Sequence, residues 1–525
     1  MRNEWREAVP KRFVGLAITG GLVAVAAVIG GAILFTSSRA SEVNLTTASL
    51  VPDDAGMYLA INTDLTSSQW VNAFHLAERL GADDPEDQLH DGADDAGLDW
   101  EDDVAPFLGG NAALYVQGIS ISDFNAQGAV IVRCNDPKKA LNVIEDQAGP
   151  FDDEDYKGVE YHAMMEGFVA VIGQHLVIAF DEDSMKAVIE VSTGDKKSLA
   201  SVNDFQKLRD ELTGNFIGFV YLNTANLVGE FALNDPVVKA AFEQAGASDL
   251  VFKPAAFVIG AQKDGFEFQE ASLGESGAAA PLLAPRKSNL IKYVPADAGV
   301  FFSTVDIAET WEKVMAQARP QIDKAIREEG EYDSLDDALK DAGRDLGISS
   351  VEDIIKLLNG ETVVAAWFPD GTEEGAEGAL IAEVDQQKAD DLLKKMVASS
   401  AKSKPQVVKA GGTDMTVFRD EDGDESAYAF LDGNLVLGTR GGVQRILENK
   451  EPALGSLRKY NQTVEQMPTS LGTYAYFDLS KLLRLAEGGL PADLSKAERA
   501  LSGFIINAVD ERGVVRLSGI LTVEE

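Results

Sequence analysis

The chain has 525 residues, 45% hydrophobic and 25% charged, which is globular composition with material for two to four domains. Its 46 basic and 86 acidic residues leave a formal charge of −40, a surface that repels nucleic acid and anionic lipid headgroups. A single cysteine, Cys134, excludes an intramolecular disulfide framework and any multi-cysteine metal centre, and none of the four histidines (His75, His90, His162, His175) makes a His-x-x-x-His pair.

The chain opens with a membrane signal. Arg2, Arg6, Lys11 and Arg12 precede an uncharged run over residues 13–36, and roughly 20 apolar residues suffice to cross a bilayer. Basic residues ahead of the run keep residues 1–12 in the cytoplasm and send the remainder out, so the expected location is the plasma membrane, single-pass, with the bulk of the chain extracytoplasmic. The rival reading is a signal peptide cleaved after Ala40, at Ser38-Arg39-Ala40. Residues 37–47 form a polar tether.

The turn Val51-Pro52-Asp53-Asp54-Ala55-Gly56 then launches an apolar run beginning at Met57, and it returns as Val294-Pro295-Ala296-Asp297-Ala298-Gly299 before Val300. Proline presets one backbone angle, Asp bonds nearby backbone and Gly tolerates the bend, so Asp54 and Asp297 read as turn-stabilising residues. Residues 64–80 read as a helix with Trp70, Phe74 and Leu76 near one face. Residues 83–103, dense in Asp and Glu without Lys or Arg, read as a solvated loop, and 102–108 as a short helix. Strands are expected at 112–117 and 128–133, the latter beside a buried Cys134. The pair Asp136-Pro137 starts a helix over 138–147. A meander follows near Val159, at 168–172 and at 176–180, with Asp152-Asp153-Glu154-Asp155 as an acidic tip. Helices at 182–191 and 205–212 lead to a strand at 216–222, and a hairpin at 256–262 and 266–271 turns on Lys263-Asp264-Gly265.

Residues 274–287 read as a linker, rich in Gly, Ala and Pro. The order then repeats. Gly109-Gly110-Asn111 matches Asn359-Gly360-Glu361, Gly128-Ala129-Val130-Ile131 matches Gly378-Ala379-Leu380-Ile381, and Tyr221-Leu222-Asn223 matches Tyr476-Phe477-Asp478. The second closing turn is Asp510-Glu511-Arg512-Gly513. The main difference is an added amphipathic stretch at 335–346. The expected class is α+β: an N-terminal transmembrane helix, then two fused copies (48–273 and 288–525) of a mainly antiparallel sheet with packed helices.

The Pro-x-Asp-Ala opening, the segment Gly97-Leu98-Asp99-Trp100-Glu101-Asp102-Asp103-Val104 with Pro106-Phe107-Leu108-Gly109-Gly110, and the single N-terminal anchor resemble a bacterial membrane-anchored family catalogued as domain of unknown function 3352. The resemblance spans roughly residues 48 to 524 and implies an extracytoplasmic location, with no activity and no catalytic residues. The second copy departs from the segment, with Gly347-Ile348-Ser349-Ser350 lacking the Trp.

No catalytic, cofactor or metal residue is assigned. Asp420-Glu421-Asp422-Gly423-Asp424 places its Gly at position four, whereas a twelve-residue calcium loop needs it at position six. Ser399 and Lys402 have Ser-x-x-Lys spacing without the companion motifs of penicillin-binding enzymes. Tyr221, Tyr476, Trp70 and Trp311 read as core positions rather than a ligand groove. The resulting expectation is a non-catalytic envelope protein that binds a protein or small ligand, with the membrane as its anchor. The alternatives are a hydrolase with a carboxylate pair and, more weakly, cation-dependent adhesion through weak divalent-cation binding.

Overall fold

The computed structural model describes residues 45–524 except 96, 121–124, 166, 228–252, 275–276, 331, 370, 373–374, 401–403, 420–422 and 486–499. The expected membrane helix at 13–36 lies outside the described residues, among which no helix is long and apolar enough to cross a membrane. The described chain is α+β, with antiparallel strands in two compact units that divide after Leu273.

In the first unit the strands are β1 (Met57–Asn62), β2 (Asn111–Ser120), β3 (Asn125–Arg133), β4 (Asp152–Tyr156), β5 (Val159–Ala163), β6 (Phe168–Ile172), β7 (His175–Ala179), β8 (Gly218–Leu222), β9 (Ala255–Gln262) and β10 (Gly265–Leu273). Their pairings give the order β4-β5-β6-β7-β3-β2-β1-β8-β9-β10, antiparallel throughout. Helices α1 (Ser68–Leu80), α2 (Pro85–Asp95), α3 (Pro137–Ala148), α4 (Glu182–Thr193) and α5 (Asn203–Glu211) accompany this sheet.

The second unit contains β11 (Val300–Val305), β12 (Glu361–Trp367), β13 (Glu377–Glu383), β14 (Gln406–Ala410), β15 (Thr413–Arg419), β16 (Glu425–Leu431), β17 (Asn434–Thr439), β18 (Thr473–Asp478), β19 (Leu501–Glu511) and β20 (Val514–Val523). Their order is β14-β15-β16-β17-β13-β12-β11-β18-β19-β20, again antiparallel. Its helices are α6 (Ile307–Glu329), α7 (Leu335–Asp345), α8 (Glu352–Ile355), α9 (Gln386–Ser400), α10 (Arg440–Glu448), α11 (Arg458–Glu465) and α12 (Leu479–Leu482). The two strand orders are the same, element for element.

Each core fills the face of the sheet under its helices. Tyr58, Phe205, Phe219 and Tyr221 pack in edge-to-face and tilted contacts in the first unit, and Phe301, Tyr460, Tyr474 and Tyr476 do so in the second. Tyr221 and Tyr476 are each 1% exposed and Trp70 is buried, so these aromatics are core. Cys134 is buried beside β3, and burial pushes its thiol up to about 12.

Two acidic stretches differ from expectation. Residues 83–103 are not a loop: Pro85 starts α2, with Glu86 and Asp87 in its positive first turn, and a π turn follows at Trp100–Val104. A small core of Ala93, Leu98 and Val104 closes beneath, with His90 stacked on Trp100 at 4.1 Å. Asp152–Tyr156 is the edge strand β4 rather than a tip, pairing residue for residue with β5. Its side chains are almost all exposed, and acidic edges of this kind discourage pairing with another chain.

Candidate functional site

The repeated Pro-Asp turn positions the site. In the first unit Pro52 bridges Ser198, Ala55 N–H donates to the Pro52 carbonyl (3.2 Å), and Gly56 donates to Val116 (2.9 Å). In the second, Pro295 bridges Ala453, Ala298 donates to Pro295 (3.1 Å), and Gly299 donates to Ala366 (2.9 Å). The backbone thus closes each turn, and the Asp side chains do something else. Asp54 accepts from Gln117 Nε2 (2.7 Å) and pairs with Lys196 (3.0 Å). Asp297 pairs with Arg445 Nη1 at 2.8 Å. The expectation that these residues bond turn backbone is corrected: both are ion-paired to segments distant in sequence, and sequence spacing does not reveal such proximity.

Arg445 reaches Asp297 because α10 lies unusually close to β13. Thr439 caps the helix by accepting from Gly442 N–H (3.2 Å). A Cβ at Gly442 would fall 2.5 Å from the Gly378 carbonyl, so only glycine admits this approach. Arg445 Nε then also donates to Glu377. Burial disfavours the guanidinium charge, but Glu377 and Asp297 outweigh it and hold Arg445 above its ordinary range. The second oxygen of Asp297 is buried without a hydrogen-bond partner among the described residues.

These side chains floor a recess of about 370 Å³, rimmed by Gln444, Glu448, Lys450 and Glu451. Lys450, followed by Gln444 (2.6 Å), bonds Glu448 and holds its carboxyl below the usual range. The recess offers carboxylates, a guanidinium, an amide and an ammonium, which is a surface for hydrogen-bonding a polar ligand. It contains no Ser, Cys or His.

None of the remaining sequence candidates lines it. His162 pairs with Asp153 (2.9 Å) on β5 and β4, and His75 with Glu78 (3.5 Å) on α1. Burial lowers His175 on β7. Lys402 and the acidic residues 420–422 lie outside the described residues. No group of three or more His, Cys, Asp or Glu suited to a metal occurs among the described residues. Sequence reasoning missed Arg445, Glu377 and Glu448. The local signal was Arg440-Gly441-Gly442, a helix start with two glycines where a close approach is needed.

Antiparallel sheets under helices, with one strand order in both units, define an α+β domain protein. The chain belongs to the family described as protein of unknown function (DUF3352), whose model matches residues 16–502. No curated protein matches. Solved structures titled as crystal forms IV, III and I of TP0453 are similar over 43%, 45% and 43% of this chain and 79%, 80% and 77% of theirs. Their identities are 10%, 11% and 9%, and their TM-scores 0.24, 0.24 and 0.25.

Proposed function

We propose that this chain is a single-pass, membrane-anchored extracytoplasmic protein, made by internal duplication, that binds a polar ligand or envelope partner without catalysing a reaction. The observation that carries the binding reading is the recess at Asp297, in which Arg445 is held between two carboxylates and Glu448 is bonded by Lys450 and Gln444. Charges closed on one another in this way suit recognition better than proton transfer, which needs a group poised near the working pH. The anchoring reading is supported by the uncharged run at 13–36 behind basic residues. The duplication reading is supported by the common strand order and the matching bonds at the Pro-Asp turns.

Protease added to intact spheroplasts should degrade the part of the chain beyond residue 41, leaving a membrane-protected N-terminal fragment. Full protection, or a mature N-terminus at Ser41, overturns the anchor. Purified residues 41–525 should turn over none of a panel of peptidoglycan, polysaccharide, ester and phosphoester substrates. Turnover abolished by changing one carboxylate to its amide would establish the hydrolase instead.

A further inference from the structure

Strand β10 carries a carboxyl group into the core of the first unit. Glu267, Gln269 and Ala271 alternate onto the buried face, and Glu267 is 3% exposed. It stands opposite Gly260 of β9, where a Cβ would lie 3.2 Å from Glu267 Oε1; one at Gly214 would lie 3.4 Å away. Gln69 of α1 and the Asn215 carbonyl bound the same recess. The nearby polar groups are committed elsewhere: Gln69 Oε1 accepts from Ala261 N–H (2.7 Å), and Gln269 bonds the Thr213 backbone. Glu267 Oε1 has no hydrogen-bond partner among the described residues.

The second unit treats the same position differently. Gln262 and Gly265 close the first hairpin, as Glu511 and Val514 close the second, so Glu267 and Arg516 occupy one register position. Arg516, 9% exposed, is ion-paired with Glu511 at 3.8 Å. Glu267 has the neutral Gln262 at the corresponding place. Helices α1 and α5 pack over β9 and β10. Their charged groups are His75, Glu78 and Arg79 on α1, and Asp204, Lys207, Arg209, Asp210 and Glu211 on α5; the hairpin adds Lys263, Asp264 and Glu270. Several of these close on one another: His75 with Glu78 (3.5 Å), Arg79 with Asp264 (3.6 Å) and Arg209 with Asp210 (2.6 Å).

We infer that Glu267 is a proton-controlled latch of the first unit: neutral, it lets α1 and the β9–β10 hairpin pack; ionised, it loosens them. A carboxylate buried without a counter-charge costs far more than the neutral acid in the same place. Burial pushes the group up from 4.5 to about 7, with the Gln262 hydrogen bond acting the other way. The packed state therefore holds the proton more tightly than the opened state. The stabilisation is complete at acid pH, is lost as pH rises towards about 7, and levels off above it.

Hydrogen–deuterium exchange on the full chain, corrected for intrinsic exchange, tests this. Raising the pH from about 6 to about 8 should increase opening of residues 68–80 and 255–273 on the order of tenfold, while 425–439 on β16 and β17 stay unchanged. Glu267→Gln should remove the dependence and protect both segments more than the wild type at either pH, the gap being larger at the higher one. If that variant does not fold, Glu267→Met supplies the same comparison. A wild type without the dependence, a neutral variant that retains it, or an equal response in 425–439 overturns the inference.

Discussion

The two units share a strand order but not the chemistry that fastens it. At the first residue of β2, Asn111 is anchored by hydroxyls, donating to Thr47 Oγ1 (2.9 Å) and accepting from Thr46 (3.4 Å). At the matching residue of β12, Glu361 accepts from Ser288, Ser303 (3.1 Å) and the N–H groups of Asn289 and Leu290 (2.7 and 3.2 Å), and pairs with Arg286 at 3.3 Å. The turn aspartates repeat the lesson. Lys196 neutralises Asp54, but the residue two before the Pro295 bridge partner Ala453 is Glu451, and the cation comes from Arg445 on α10 instead. At these two positions the buried or turn polar group is closed locally, and either a neutral or an ionic set of partners does it.

This comparison can be broken at several points. The largest effect is expected at Glu361→Ala, which strands Arg286 and should cost about 3–5 kcal/mol. Asn111→Ala should cost about 1–3 kcal/mol. Denaturant unfolding followed by probes in each unit measures both, and equal losses would contradict the difference drawn here. Next comes the carboxyl of β10. Removing its ionisation by Glu267→Gln should stabilise the first unit at about pH 8 relative to wild type by about 3 kcal/mol, an advantage that vanishes near about pH 4.

Smaller losses are expected at the buried hydroxyl pairs. Tyr460→Phe removes one partner of the Tyr474 hydroxyl (3.0 Å away), and Tyr58→Phe removes one partner of Thr47 (2.7 Å), which keeps the Asn111 amide. Each should lower stability by about 1–2 kcal/mol in thermal melts, and a neutral result would mean those hydroxyls find other partners. The smallest difference sharpens the turn comparison. Arg445→Met breaks two ion pairs and should cost about 1–2 kcal/mol, whereas Lys196→Met should cost under about 1 kcal/mol.

The turns and strands were legible because their signals are local. Asp264-Gly265 sits at the closing hairpin as its composition demands, and the residues repeated around Gly128 and Gly378 fall on matching strands. The acidic elements were not legible, since β4 and α2 carry little apolar periodicity and owe their form to a neighbouring strand and a small tertiary core. The hairpin register was also deceptive. Phe266 and Phe268 alternate with Glu267 and Gln269, a pattern that suggests aromatics inward, yet the Phe positions lie on the half-exposed face. The recess at Asp297 could not be read either, because it joins residues 297, 377 and 445 through an approach that only the glycines of α10 permit.

Crosslinking tests directly whether this recess recognises something outside the chain, as proposed. A photo-crosslinking residue in place of Gln444, which rims the recess, is compared in intact cells with one in place of the exposed Lys138 on α3. The account predicts a discrete adduct from position 444 that is absent from 138 and is lost when Arg445→Glu is added. No adduct at 444, or the same products from both positions, would contradict it.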